Sequence, residues 1–217
     1  MDGVFIQNYP PPAIDESQAL RYAGCKTEQE RVVDELRACY EESKTQLSFR
    51  VCYAVLDTEE LLALFSGQEK DCLCARLNGA PKTAVFCATV GIGIDRLIHR
   101  YIRVSQTKGL WMQAIGAERV ESLCDDFCRD LQKQYPTLHA GARFSAGYGN
   151  IPLTVQKTVF RLLDCERKIG VTLNDGGLMT PTKSVTAFVP LYTDKQNEKR
   201  GCTACGKTDC DFRRENA

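Results

Sequence analysis

An arginine, a tyrosine and two glycines fall within residues 143–150, which read RFSAGYGN. The guanidinium of Arg143 can hold a carboxylate through two parallel hydrogen bonds. Gly147 and Gly149 permit backbone conformations and close approaches that a side chain would block. Tyr148 adds a flat apolar face and a hydroxyl. The stretch therefore favours a small zwitterion with an aromatic part as its ligand, and a hairpin turn with a surface arginine is the alternative.

Glu121 is the second candidate, because it lies on a long helical pattern that runs from Leu110 to Tyr135. At about 100° per residue, it falls in the middle of a stripe of small and apolar side chains, formed by Leu110, Ala114, Ala117, Cys124 and Cys128. A carboxylate there is costly unless a cation or hydrogen-bond donors meet it. We expect Glu121 to bind a positively charged small molecule, or else to form an internal salt bridge or lie at the edge of the core.

Three cysteines, Cys202, Cys205 and Cys210, form a C-x2-C-x4-C cluster near the end of the sequence. Thiolates at this spacing suit a soft metal such as zinc, or an iron–sulfur cluster. A closed site requires four ligands, and the tail does not supply the fourth. A redox dithiol pair and an unliganded terminus are the alternatives.

Gly91 and Gly93 follow a predicted strand and precede a predicted helix, which is where a dinucleotide fingerprint would lie. Arg96 occupies the position of the third glycine, and no βαβ unit with a ribose-binding acid is evident. The pattern favours a tight strand-to-helix turn over a phosphate or nucleotide contact.

The composition of the whole chain is that of a globular protein, and it argues against several classes of function. The 217 residues are 43% hydrophobic and 26% charged, and the formal net charge of +0 supplies no overall basic field for nucleic acid. No apolar run approaches the roughly 18–20 residues that span a bilayer, and the first residues lack the regions of a signal peptide. With 12 cysteines and 2 histidines, we expect reduced thiols in a reducing cytoplasm and no histidine-rich metal site.

Hydrophobic periodicity predicts helices in runs between strands, without a regular βαβ alternation, which favours an α+β fold. The first 24 residues are predicted to be extended, and Thr27 with Glu30 forms a capping box for the next helix. Pro152 is predicted to begin a helix that continues to about Lys168. Further helices are predicted at Asp57–Phe65, Asp95–Val104 and Leu110–Tyr135, and strands at Leu47–Leu56, Thr83–Val90, Ile169–Leu173 and Ser184–Leu191. We expect residues 1–193 to form the domain and residues 194–217 a polar linker with a cysteine-rich tail.

In this order, the motifs resemble the activation domain of cobalamin-dependent methionine synthase, which binds S-adenosylmethionine, in a free-standing form. The resemblance covers roughly residues 10 to 192. Its most specific part is Arg143-Phe-Ser-Ala-Gly-Tyr148, which fits the family's R-x-x-x-G-Y. Residues 178–188, LMTPTKSVTAF, resemble its M-x-P-x-x-S-V stretch, and TAVFCATVG and LLDCERKIGVTL also have counterparts there. The fold that this resemblance implies is α+β, with a curved, mainly antiparallel sheet flanked by helices.

The resemblance also implies a set of binding residues. Arg143 would hold the carboxylate of S-adenosylmethionine, the main chain near Ser145 would contact the adenine, and Tyr148 would line the site. Asp15 matches an aspartate that binds the amino group of the cofactor, and Glu121 matches a helix glutamate of the site. The two acids would balance the ammonium and sulfonium charges.

The function implied by the resemblance is repair of cobalamin that has oxidised to the inert cob(II)alamin state. S-adenosylmethionine supplies the methyl group, and a flavodoxin or ferredoxin-type donor supplies the electron. The chain has no D-x-H-x-x-G motif, so it lacks the usual cobalamin-ligand histidine, and we expect it to act in trans on a separate synthase. The tail cysteines could then serve as a one-electron relay.

Three other functions stay open at this point. One is an activator of a different corrinoid protein, and another is a non-catalytic small-molecule-binding or scaffold protein of the same fold. The third is a Rossmann methyltransferase, which the incomplete glycine loop disfavours.

Overall fold

The computed structural model describes residues 3–25 and 29–195. Within these ranges a five-stranded sheet has the strand order β1-β2-β3-β7-β4, and every neighbouring pair is antiparallel. A separate antiparallel hairpin joins β5 and β6. The strands are β1 (Phe5–Tyr9), β2 (Phe49–Asp57), β3 (Lys82–Thr89), β4 (His139–Ala140), β5 (Thr172–Leu173), β6 (Met179–Thr180) and β7 (Ser184–Tyr192).

Helices cover both faces of the five-stranded sheet. They are α1 (Glu16–Tyr22), α2 (Glu30–Ser43), α3 (Thr58–Leu62), α4 (Gly67–Leu77), α5 (Ile92–Val104), α6 (Gln106–Gln134), α7 (Val155–Leu163) and α8 (Cys165–Ile169), with a 3-10 turn at Lys44–Gln46. The longest, α6, begins after Ser105, whose side chain accepts a hydrogen bond from the N–H of Lys108. No helix in the described ranges has both the length and the apolarity needed to cross a membrane.

The side chains of the central strands alternate between two hydrophobic cores, because successive residues of a strand point to opposite faces. On β3, Phe86 joins the core beneath α1, α2, α5 and α6, and Val85 joins the core beneath α3, α4, α7 and α8. The first core includes Leu36, Met112, Ile115, Leu123 and Phe127, and the second includes Leu61, Leu73, Val155, Val159 and Leu163. The predicted α+β fold with a curled, mainly antiparallel sheet is confirmed.

Several predicted elements differ from those of the structure. The first 24 residues are not extended throughout, because α1 follows β1 within them. Thr27 of the predicted capping box lies outside the described residues, and α2 begins at Glu30 with Gln29 as its N-cap. The helix predicted from Asp57 ends at Leu62 instead of Phe65, and α4 was not predicted.

The helix expected from Pro152 to Lys168 is two helices. Its regular part begins at Val155, and Asp164 separates α7 from α8 in a left-handed conformation with φ of 50°. The predicted strand at Ile169–Leu173 is only the two-residue β5, because α8 extends to Ile169.

Candidate functional site

Asp15 lies where the N-terminal segment turns into α1. Its carboxylate Oδ1 accepts hydrogen bonds from the backbone N–H of Gln18 at 3.0 Å and from the hydroxyl of Ser17 at 2.7 Å. Asp15 is therefore the N-cap of α1, a position that aspartate stabilises by satisfying an otherwise unpaired backbone donor. The cap determines where this carboxylate is held relative to the long helix α6.

A buried ion pair on α6 anchors the same segment. The side chain of Arg119 is 0% exposed and that of Glu118 is 2% exposed. Two nitrogens of Arg119 donate to the two carboxylate oxygens of Glu118 at 2.5 and 2.6 Å, and the guanidinium also donates to the carbonyls of Pro12 at 2.6 Å and Ala13 at 2.9 Å. A buried charge pair needs such additional hydrogen bonds to offset its desolvation. The pair thus ties residues 12–15 to the middle of α6.

Glu118 completes the link to Asp15. Its Oε1 accepts a hydrogen bond from the backbone N–H of Asp15 at 3.1 Å and another from the hydroxyl of Ser122 at 2.6 Å. The same oxygen receives the second bond from Arg119. One carboxylate oxygen therefore connects the start of α1 to two successive turns of α6.

Arg143 reaches α6 from the segment between β4 and α7. One terminal nitrogen of its guanidinium donates to Glu121 and the other donates to Asp125. The side chain of Arg143 is partly buried, while those of Glu121 and Asp125 are 39% and 55% exposed. Burial by itself lowers the pKa of Arg143, but its neighbours Cys124, Glu121 and Asp125 outweigh that effect and the net shift is upward. Burial raises the pKa of the Cys124 thiol and keeps it neutral, so we attribute the upward shift to the two carboxylates.

These groups surround a small recess with a volume of about 50 Å³. Its lining consists of Asp15, Gln18, Tyr22, Glu118, Glu121, Ser122 and Asp125. Four of those residues are carboxylates, and the guanidiniums of Arg119 and Arg143 contact three of them. The guanidinium of Arg21 donates to Gln18 of the lining at 2.5 Å, so the four carboxylates exceed the three cations by one negative charge. The recess is large enough for a small cationic group such as an ammonium, and too small for a nucleoside.

The 143–150 loop leaves the sheet next to this recess. Phe144 pairs with Phe188 of β7 through two backbone hydrogen bonds of 3.1 and 2.8 Å, and their rings stack at 5.3 Å. The chain then turns at Gly147, which has φ of 84° and donates its N–H to the carbonyl of Ile151 at 2.9 Å. A positive φ of this size favours glycine over residues with a side chain. The side chain of Tyr148 is left 76% exposed at the tip of the turn.

The structure brings some of the predicted site residues together and leaves others apart. Asp15 and Glu121 line the same recess, and Arg143 contacts Glu121 directly. Ser145 and Tyr148 do not line the recess and belong to the adjoining loop. Cys202, Cys205 and Cys210 lie outside the described residues. Within residues 3–25 and 29–195, no group of three or more histidine, cysteine or acidic side chains is arranged to hold a metal ion.

The apolar stripe predicted around Glu121 is only partly buried, at Ala114 and Cys124. The buried side of α6 includes Met112, Ile115, Leu123 and Phe127, and Leu110, which was placed on the apolar stripe, is 45% exposed. Glu121 lies at the edge of the core and forms a salt bridge with Arg143, as the alternative interpretation expected. The projection was misplaced because small residues such as alanine do not distinguish a buried face from a partly exposed one.

Glu118, Arg119 and Asp125 were missed by the sequence reasoning. Arg119 lies four residues after Ile115 and four before Leu123, both of which are fully buried. A projection centred on those large residues would have placed this arginine in the core. A buried arginine requires several hydrogen-bond acceptors. Its position therefore predicts that other segments of the chain supply acceptors to Arg119 inside the core.

The glycines of the junction between β3 and α5 serve packing. Gly91 has φ of 85° and precedes α5, and its N–H donates to the hydroxyl of Thr89 at 3.1 Å. A Cβ on Gly93 would lie 2.1 Å from the carbonyl oxygen of Gln46. Asp95 then accepts two hydrogen bonds from Thr182, at 2.7 Å from its N–H and 2.6 Å from its hydroxyl. The junction is therefore a tight turn that also holds the segment before β7.

A sequence profile described as "Vitamin B12 dependent methionine synthase, activation domain" matches residues 70–212, well over half of the chain. The chain belongs to this family. Glu121, the 143–150 loop and the three tail cysteines all lie inside the matched range, and Asp15 lies before it. The resemblance expected from the motifs is confirmed.

The activation-domain fold is also found among solved structures. A structure described as the MetH reactivation domain bound to AdoHcy superposes with a TM-score of 0.65. The match covers 90% of this chain and 80% of that chain at 14% sequence identity. Such a low identity shows the shared fold alone. The search of curated proteins found no match.

Proposed function

We propose that this activation domain binds S-adenosylmethionine beside α6 and supports reductive remethylation of inactive cob(II)alamin on a separate cobalamin-dependent methionine synthase. The observation that carries the proposal is the position of Arg143, a carboxylate-binding cation held against an acidic recess by Glu121. The amino-acid end of such a ligand has a carboxylate and an ammonium close together. The guanidinium of Arg143 complements the carboxylate, and the acidic recess complements the ammonium. The AdoHcy bound to the structurally similar reactivation domain supports the same class of ligand.

The residues of the chain would bind and orient the ligand. Asp15 and Glu121 would hold the cationic end in the recess, and Arg143 would take the carboxylate. The adenine would lie along the backbone near Ser145. Tyr148, exposed at the tip of that turn, would contact the ligand or the corrinoid protein that approaches it. Preorganised charges of this kind position a reactant without taking part in the bond changes.

The remaining chemistry belongs to the bound molecules. S-adenosylmethionine supplies a methyl cation, a flavodoxin or ferredoxin-type donor supplies one electron, and cob(II)alamin on the partner becomes methylcobalamin while S-adenosylhomocysteine is left. We propose no general acid or base among the described residues.

The domain boundary near residue 193 stays a prediction, and β7 ends at Tyr192.

Calorimetric titration of S-adenosylmethionine into the reduced protein tests the binding site. Arg143→Ala should weaken binding at least about tenfold, because a charged hydrogen-bonded contact is worth roughly 1.5 kcal/mol or more. Arg129→Ala is the control, since Arg129 is mostly exposed and pairs with Asp126, which does not line the recess. Thermal unfolding of each variant separates a lost contact from a lost fold. Equal binding by wild type and Arg143→Ala would overturn the proposed site.

The partner is tested separately by reactivation. The protein is added to cob(II)alamin-loaded methionine synthase that lacks its own activation domain, with S-adenosylmethionine and a reducing flavodoxin. We expect methylcobalamin to form and synthase activity to return. If activity returns only when another class of corrinoid protein is the partner, the result would favour the alternative function, activation of a different corrinoid protein. Absence of S-adenosylmethionine binding would favour the non-catalytic protein of the same fold.

A further inference from the structure

The guanidinium of Arg143 is shared between two carboxylates of this chain. One terminal nitrogen donates to Glu121 and the other to Asp125, one turn further along α6. A carboxylate that binds an arginine through two parallel hydrogen bonds uses a pair of adjacent donors. Both terminal nitrogens already have an acceptor, so an incoming carboxylate has to displace one of the two acids or share a nitrogen with it.

Asp125 is the acid that can leave more easily. Its side chain is 55% exposed, against 39% for Glu121, so water replaces its contact at a smaller cost. The Asp125 carboxylate is well solvated when it leaves, and the Arg143 guanidinium, whose side chain is 24% exposed, stays paired with Glu121, so the exchange costs little. Glu121 and Asp125 both line the recess, so the difference in exposure is what separates the two acids.

We infer that Asp125 competes with the carboxylate of the ligand for Arg143 and thereby sets the affinity for ligands that carry this carboxylate. This inference rests on the proposed binding of S-adenosylmethionine. Binding exchanges the Asp125 contact for a ligand contact at the same nitrogen, and the charge of the guanidinium stays paired throughout. A ligand without a carboxylate leaves Asp125 in place and meets no competition.

The inference predicts that removing one acid from this acidic site raises the affinity for the ligand, which is the opposite of the usual effect. Removing a negative charge near a cationic ligand normally weakens binding. Asp125→Asn should instead tighten the binding of S-adenosylmethionine by roughly twofold to fivefold, the range expected from loss of an exposed ion pair. Decarboxylated S-adenosylmethionine, which keeps the amine and sulfonium and lacks the carboxylate, should show no gain with the same variant.

Asp126→Asn is the matched control. It removes the same charge from the next residue of α6, but Asp126 pairs with Arg129 rather than with Arg143. Both variants and the wild type are titrated with both ligands at one fixed salt concentration. Asp126→Asn should leave the affinity for S-adenosylmethionine unchanged or slightly lower.

The outcomes separate this inference from the proposed function. If the wild type binds S-adenosylmethionine and Asp125→Asn binds it equally or more weakly, Asp125 does not compete with the ligand, and the inference fails while the function stands. An equal gain for the decarboxylated ligand also overturns the inference, since the carboxylate is then irrelevant. Tighter binding of S-adenosylmethionine by Asp125→Asn, with no gain for the decarboxylated ligand, supports both. Absence of binding by either protein overturns both.

Discussion

Glu118 Oε1 accepts a hydrogen bond of 3.1 Å from the backbone N–H of Asp15, 103 positions earlier in the chain. The bond fixes the start of α1 against α6, and Asp15 then presents its carboxylate to the recess that Glu121 also lines. The position of one proposed binding residue therefore depends on a buried residue that faces away from solvent. Because Glu118 also lines the recess, the exchange of the Asp15 amide hydrogen is measured beside the affinity, so that release of the segment is distinguished from loss of a recess carboxylate.

Replacing the buried ion pair should release the N-terminal segment. Removal of Arg119 alone would leave an uncompensated buried carboxylate and cost about 3–5 kcal/mol. The double variant Glu118→Leu with Arg119→Met removes both charges and should be nearly neutral in stability by comparison. We expect it to fold, to bind S-adenosylmethionine at least about tenfold more weakly, and to exchange the amide hydrogen of Asp15 faster.

The control for this experiment is the pair between Asp126 and Arg129 on α6, which does not line the recess, replaced as Asp126→Asn with Arg129→Met. It should change neither ligand affinity nor exchange at Asp15. Unchanged affinity in the buried-pair variant, together with faster exchange at Asp15, would show that the segment does not position the ligand.

Gly93→Ala should destabilise the protein through a packing clash. The added Cβ would lie 2.1 Å from the backbone carbonyl oxygen of Gln46, so the 3-10 turn or α5 has to shift. We expect a loss of about 1–3 kcal/mol in the free energy of unfolding, measured by urea denaturation. Gly176→Ala is the control, because its Cβ would make an ordinary contact of 3.4 Å with Asn174. A Gly93→Ala variant of wild-type stability that has lost ligand binding would instead favour the nucleotide-contact interpretation of this turn.

The pair between Glu16 and Arg37 should make stability fall in acid. A hydrogen bond from Arg37 lowers the pKa of Glu16 below 4.5, and slight burial opposes it. A carboxylate whose pKa is lower in the folded protein stabilises it fully above the unfolded value and loses that contribution as the pH falls through the folded value. The two contacts measure 2.7 and 2.9 Å, but both side chains are substantially exposed.

Glu16→Gln should therefore cost about 0.2–1 kcal/mol at neutral pH, and the difference from wild type should disappear as the pH is lowered below 4.5. Urea unfolding at a series of pH values measures both quantities. Glu60→Gln is a suitable control, since Glu60 is exposed and has no ion pair within the described part of the chain. A difference that persists unchanged into acid would show that Glu16 acts through helix geometry rather than through its charge.

The tail cysteines are predicted to bind zinc or an iron–sulfur cluster. Protein purified anaerobically should contain roughly one metal centre per chain, detectable by elemental analysis and, for a cluster, by visible absorption. Replacing Cys202, Cys205 and Cys210 by serine should abolish it. Replacing Cys72 and Cys74, two partly exposed thiols of α4, should not. Colourless wild-type protein without metal would contradict the prediction and remove the proposed electron relay.

Elements with strong local patterns were predicted well. The strands around Phe86 and Phe188 lie within one residue of their predicted bounds, because uninterrupted β-branched and apolar residues favour strands buried on both faces. The long helix α6 was also expected, although it begins at Gln106 because Ser105 caps it. Weak patterns failed: α1 and α4 are short or of mixed polarity, and tertiary packing rather than periodicity stabilises them.

The sequence by itself determined the family and the short motifs that carry its chemistry, above all the arginine and tyrosine of R-x-x-x-G-Y. Such motifs are local, so the identity and spacing of neighbouring residues suffice to recognise them. Only the tertiary structure decided which charges meet. Arg143 pairs with Glu121 and Asp125 from 22 and 18 residues away, and Arg119 is buried because the carbonyls of Pro12 and Ala13 come to it. Charge pairs between distant segments depend on how helices and strands pack, and a pattern of neighbouring residues does not contain that information.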